Sequence, residues 1–334
     1  MRIETPGAVG VTRASCGSGI AAGRWVSPPR GPSRRFHASR PIPTLLLVAV
    51  AAFVPVAGAA QAPDSDVFIV SLERRAGRLA ASGARNLTNR PGYDNQPAWS
   101  ADGAHVYFTS VREGEQADIY RIAVSGGQAT RVTLTSPESE YSATLMPGGN
   151  ALSVVRVERD STQRLWSVPL DGSPGRVLLE RIKPVGYHTW ANETTLALFV
   201  LGSPNTLQLA SAVTGLADTI ATSIGRSLHT TREGQVSFVH KVSQDEWWLT
   251  LLDPSNRSLR RLVRMPRRVE DYSWTLDGQV LAGQGSLLMV FNPRDGGDWV
   301  TVADLSALGI TGITRLAVTP RGDAVAIVGV PAGR

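Results

Sequence analysis

An all-β, six-bladed propeller is the fold that this 334-residue sequence predicts, on three observations. A strand–turn–strand–loop–strand unit recurs along the chain. Its period is that of a propeller blade. The two ends of the chain supply complementary parts of one further unit.

The unit is clearest at Gly92–Gly103 (Gly-Tyr-Asp-Asn-Gln-Pro-Ala-Trp-Ser-Ala-Asp-Gly), followed by Ala104–Ser110 and Asp118–Ile122. Asp102-Gly103 predicts a tight hairpin, because glycine accepts positive φ at no steric cost and aspartate tolerates it. Val106, Phe108 and Ser110 alternate with Tyr107 and Thr109, the period of two that a strand requires. With Trp99 as marker, the equivalent points are Leu145, Trp190, Thr230, Trp274 and Val318, separated by 46, 45, 40, 44 and 44 residues. A repeat of about 40 to 45 residues with short strands and glycine turns indicates blades. Helical apolar periodicity is almost absent after residue 66.

At the start, Asp66–Leu72 and Ala84–Leu87 read as third and fourth strands of a blade. At the end, Ile313–Thr319 and Asp323–Val330 read as first and second strands. Joining residues 66–88 to 313–330 completes a sixth blade and leaves no open edge in the ring. The propeller is thus expected over 66–330.

Asp94–Gly103 followed by Asp118-Ile119-Tyr120 resembles the WD40-like repeat of TolB-type propellers, which opens on Pro-x-Trp-Ser-x-Asp-Gly and closes near Leu-Thr. Such pairs stand at Leu87-Thr88 and Leu134-Thr135. The fifth repeat, at Trp274-Thr275-Leu276-Asp277-Gly278, is a fair match; the others match by spacing. The resemblance implies a periplasmic, non-enzymatic propeller whose channel face holds a protein partner. TolB itself carries an α/β domain before its propeller. Here the first strand falls within a few residues of the expected cleavage site, so the analogy is to the propeller and not to the whole TolB role.

The net charge of +6 lies in the leader. Residues 1–40 hold seven arginines and one acid, Glu4, leaving 27 basic and 27 acidic residues beyond. A domain neutral overall argues against nucleic-acid binding. Arg34, Arg35 and Arg40 precede an apolar run, Thr44–Ala57, and small residues, Ala57-Gly58-Ala59-Ala60. This reads as a signal peptide within residues 1–60, cut after Ala59 or Ala60, since the run is too short for a membrane span. Arg34-Arg35-Phe36 only partly fits a twin-arginine signal. The expected product is periplasmic or secreted, monomeric and without a stable membrane span. Its only cysteine, Cys16, precedes the cut, so neither a disulfide nor a cysteine metal site is expected after it.

Trp99, Trp166, Trp190 and Trp274 are expected to pack between blades. Trp247 and Trp248 should face opposite sides of one strand. Residues at the start of each inner strand should crowd one mouth of the channel. The candidate ligand-binding set is Asp94, Glu140, Tyr141, His188, Arg226, His229, Asp271 and Arg315, with Asn95, Tyr187 and Glu270 beside them. His188 and His229 are expected to lie outside the inter-blade core.

Two readings follow. The set could bind a protein, peptide or small polar ligand, with no cofactor. Alternatively, His188, His229, Glu140, Asp94 and Asp271 could hold a divalent ion for ester or lactone hydrolysis, since imidazole and carboxylate are its natural ligands. The sequence shows no nucleophile elbow, phosphate loop, paired-histidine zinc helix or EF-hand, and no catalytic residue is assigned.

Overall fold

A computed structural model describes residues 64–112 and 114–333. The leader and export signal expected over 1–60 lie outside the described residues. The described residues open on β1 (Asp66–Arg75) and β2 (Arg78–Asn86). Blade one follows as β3 (Asp94–Trp99), β4 (His105–Val111), β5 (Ala117–Ala123) and β6 (Thr130–Arg131). Blade two is β7 (Ser139–Leu145), β8 (Ala151–Val157), β9 (Gln163–Pro169) and β10 (Arg176–Val177). Blade three is β11 (Val185–Trp190), β12 (Thr195–Val200), β13 (Thr206–Ser211) and β14 (Ala217–Thr222). Blade four is β15 (Ile224–Thr230), β16 (Val236–Lys241), β17 (Trp247–Leu252) and β18 (Leu259–Arg264). Blade five is β19 (Tyr272–Trp274), β20 (Val280–Gln284), β21 (Leu287–Phe291) and β22 (Val300–Asp304). The chain ends on β23 (Ile310–Val318) and β24 (Ala324–Pro331).

The sixth blade has the order β2-β1-β24-β23, so the first two strands close the ring as the sequence predicts. Asp66 to Ser71 pair antiparallel with Gly329 to Ala324. Gly329 is required there, because a Cβ would meet the Ile310 side chain at 2.7 Å and the Thr311 carbonyl at 2.8 Å. Val67, Phe68, Ile69, Val70 and Leu72 of β1 are all buried. At about 1.5–3 kcal/mol each, their burial rivals the entire stability of a typical domain, about 5–15 kcal/mol.

Each of the six core clusters is shared by two adjacent blades. The strand period produces this sharing. Leu196, Leu198 and Val200 of β12 join the cluster with blade two, whereas Ala197 and Phe199 join that with blade four. Trp99, Trp190 and Trp274 take the predicted seats between blades. Trp166 packs against the cluster between blades one and two. Trp247 reaches the cluster of blades four and five, while Trp248 turns to Arg261.

The hairpin after Trp99 is wider than Asp-Gly predicts. Only Gly103 takes positive φ, at 66°. Asp102 acts through its side chain, accepting from Ser100 Oγ at 2.6 Å and from the Ala104 amide at 2.9 Å. Among the described residues no helix is long and apolar enough to cross a membrane.

A polar ring at the channel mouth

Every blade contributes one residue, three positions before its repeat marker, to a cavity of about 110 Å³ on the channel axis. These six residues are Gln96, Ser142, Tyr187, Ser227, Asp271 and Arg315. Bulges in β3 and β7 bring the first two round to the axis, with Gln96 at φ 55° and Ser142 at φ 54°. A non-glycine residue in this region costs of order 1–3 kcal/mol and persists only where its surroundings hold it. For Gln96 those surroundings are visible: its Oε1 accepts from Thr109 Oγ1 at 2.9 Å and from the Ser142 amide at 2.7 Å. The Ser142 hydroxyl is buried without a partner among the described residues.

The charged centre lies on blades four to six. Asp271 receives Arg226 Nη2 at 2.8 Å and Arg315 Nη1 at 2.8 Å. Arg315 Nη2 also donates to the Tyr187 hydroxyl at 3.2 Å. Glu270 binds Lys241 Nζ at 2.7 Å and stands 3.5 Å from Arg226 Nε. Burial opposes ionisation of Glu270, but the Lys241 hydrogen bond and the charges of Arg226 and Lys241 outweigh it and hold its carboxyl below the usual range. Burial likewise disfavours the charged Arg226, yet its bonds to Asp271 keep it above its ordinary value. Three cations against two carboxylates leave the cluster one positive charge. Arg226 is the open member, with its side chain 35% exposed.

The structure brings Arg226, Asp271, Arg315, His188 and His229 of the predicted set to this cavity, and takes Asp94, Glu140 and Tyr141 elsewhere. Asp94 is fully buried, accepting from Ser110 Oγ at 2.5 Å with Arg90 Nη1 at 3.3 Å. Glu140 is fully buried beside Arg156 Nε at 2.8 Å and accepts from Thr135 Oγ1. Arg156 in turn lies 4.0 Å above the Trp166 ring. Burial raises both carboxyl pKa values despite these partners. Tyr141 packs beside the core between blades two and three, and burial pushes its phenol up.

His188 departs from expectation in a different way. It borders the cavity but belongs to the inter-blade core, 6% exposed, with Nε2 at 2.6 Å from Ser153 Oγ. That hydroxyl also accepts from Trp190 Nε1 at 3.0 Å and donates to the Thr144 carbonyl at 3.2 Å. A hydroxyl has one proton to give, so His188 serves as the donor and carries its proton on Nε2. Blades four and five repeat the device: Ser237 Oγ accepts from the Tyr272 hydroxyl at 2.9 Å and Trp274 Nε1 at 2.8 Å, and donates to the His229 carbonyl. His188 therefore occupies the seat of a core tyrosine. Burial drives its pKa down to about 3. His229 is half-buried, against Tyr272 with ring centroids 4.9 Å apart and Ser227 Oγ at 3.1 Å. Burial lowers it to about 4, against a smaller opposing bond from the Tyr272 backbone.

Gln96, Ser142 and Ser227 were not singled out by a search for charge, although their offset from the marker is readable. Tyr93 does not line this cavity; burial pushes its phenol up to about 12, while the nearby charges of Arg315 and Arg226 oppose. The five residues considered for a divalent ion do not converge. Among the described residues no three of His, Cys, Asp and Glu come together to hold a metal.

A six-bladed propeller with a polar, weakly cationic mouth is the class that these observations define. The chain belongs to the TolB propeller family: the model of the PD40 TolB beta propeller domain matches residues 50–216. Its fold is similar to that of a protein assigned as TolB from Agrobacterium tumefaciens, at TM-score 0.64 and 14% identity over 80% of this chain and 98% of that one. It is also similar to TolB from Acinetobacter baumannii, at TM-score 0.53 and 11% identity, covering 80% of this chain and 64% of that one. An oligogalacturonate lyase in complex with manganese aligns at TM-score 0.52 and 15% identity, covering 75% and 80%. At such identities the likeness is one of fold. No curated protein matches the chain by sequence.

Proposed function

We propose that the chain is an exported, non-enzymatic binding module whose channel mouth takes an anionic group of a protein or peptide partner. The observation that carries this reading is the Arg226–Asp271–Arg315 cluster, which holds one positive charge in excess at the rim of a small cavity. Space of about 110 Å³ holds about four waters. That suits a single side-chain carboxylate rather than a whole small-molecule ligand, which typically needs about 300 Å³ or more. Arginine, with its rigid fork of donors, suits carboxylate recognition. The basic flank, apolar run and small residues of the leader support export.

The test is calorimetric titration with N-acetylglutamate amide, a probe with one carboxylate. Arg226→Gln, at the open member of the cluster, should weaken its binding about tenfold, the loss of one charge-assisted hydrogen bond. Binding unchanged in Arg226→Gln would move the site away from the mouth. The exported form should begin at Ala60 or Gln61 by N-terminal sequencing; a membrane-bound form retaining Met1 would indicate an anchor.

A further inference from the structure

The domain is neutral in total but not in distribution. Residues 257–268, Arg-Ser-Leu-Arg-Arg-Leu-Val-Arg-Met-Pro-Arg-Arg, contain six arginines and no acid. They form β18, the outer strand of blade four, and the connection toward β19. Arg260, Arg261, Arg264, Arg267 and Arg268 are all exposed.

Their acid partners are few. Arg257 pairs with Asp218 at 2.5 Å. Arg267 stands 3.9 Å from Asp245, with both side chains about three-quarters exposed, which is too loose to neutralise it. Arg264 donates to the Asp245 backbone carbonyl, and Arg261 lies over the Trp248 ring. For Arg260 and Arg268 no acidic partner occurs among the described residues. The carboxylates nearest the mouth, Glu270 and Asp271, are already engaged by Lys241, Arg226 and Arg315.

These arginines continue from the mouth. Arg226 and Asp271 line the axial cavity and also a neighbouring cleft of about 230 Å³, which Glu270, Arg267 and Arg268 line as well. Arg267 is shared in turn with a hollow bordered by Arg264. Pro266–Val269 form a turn closed by the Val269 amide on the Pro266 carbonyl at 3.0 Å. Arg268 holds φ 62° in it, a position where glycine or asparagine is usual.

We propose that this track, from Arg226 through Arg268 and Arg267 to Arg264, binds an extended acidic segment of a partner protein. One Asp or Glu side chain of the segment enters the mouth, and the following carboxylates lie along the arginines. The inference rests on the mouth accepting a carboxylate. A peptide fits better than an acidic polysaccharide because a space of about 110 Å³ matches a carboxylate on a stem of one or two methylenes more closely than a carboxylate fixed to a pyranose ring.

The test compares two probes on the full chain as purified: N-acetylglutamate amide and a fluorescein-labelled hexaglutamate peptide, at low ionic strength. Hexaglutamate should bind more tightly than the monomer, and added salt should erase the difference. Arg264→Glu/Arg267→Glu/Arg268→Glu should cost hexaglutamate about tenfold or more and leave monomer affinity unchanged. Arg267→Gln/Arg268→Gln, which only removes charge, should give a smaller loss, and thermal melts verify that both variants fold. Equal affinity for both probes in the native chain, unchanged by these variants, would overturn the track and leave the mouth standing. No binding of either probe would overturn both. Tighter, arginine-dependent binding of an oligogalacturonate or oligonucleotide of equal charge would overturn the assignment to a peptide.

Discussion

Two pairs of polar residues, on or just before inner strands of different blades, reach opposite environments. Asp94 and Glu140, five positions before their markers, turn into their own blades and are sealed there with Arg90, Ser110 and Arg156. Asp271 and Arg315, three positions before theirs, meet on the axis beside an arginine that is still one-third exposed. The difference shows that a charged residue at the start of an inner strand is not by itself a channel residue. A two-residue offset along a pleated strand with a bulge decides between a buried clamp and a binding surface.

The contrast can be broken most forcefully at Glu140. Glu140→Ala leaves Arg156 buried and unpaired and should cost about 3–5 kcal/mol in denaturant unfolding. Binding of N-acetylglutamate amide per folded molecule should not change. A variant as stable as the native chain that no longer binds would assign Glu140 to the site.

His188 tests the boundary between the two sets. Its folded pKa, about 3, lies below the ordinary 6.5. The unfolded chain therefore binds the proton first, and the contribution of neutral His188 is full above about pH 6.5 and lost as pH falls toward 3. Asp94 and Glu140, raised by burial, act in the opposite sense as pH falls through their folded values. By pH 5 about 2 kcal/mol of that contribution has been lost, and His188→Gln, which does not take up a proton there and keeps a donor for Ser153, should be spared the loss. The acid limb of stability should then be shallower than that of the native chain. Superimposable limbs would mean that His188 is not the buried neutral donor described above.

The smallest effect is expected at Ser142, whose left-handed backbone and unpartnered hydroxyl both cost free energy. Ser142→Gly should stabilise the domain by about 1 kcal/mol. If binding weakens at the same time, the hydroxyl is a ligand contact. Destabilisation would show that the hydroxyl has a structural partner.

The period of the repeat, the alternation in β4 and the orphan strands at both ends made the six blades and their closure legible in the sequence, because strand pairing follows hydrophobic pattern. The offset that reaches the axis is equally periodic, but residues 94 and 140 drew attention by charge while Gln96 and Ser142 did not. The six arginines of 257–268 were visible as a string and hidden by a whole-domain charge count. Only the tertiary structure could decide that His188 sits in a tyrosine's place, that Arg226 and Arg315 share one carboxylate, and that Arg267 and Arg268 line a cleft together with Arg226. Those facts depend on bulges and on contacts between blades some 35 to 45 residues apart, such as Ser153–His188 and Arg226–Asp271. Local pattern sets which face a residue takes; the packing of one sheet on the next sets what it meets there.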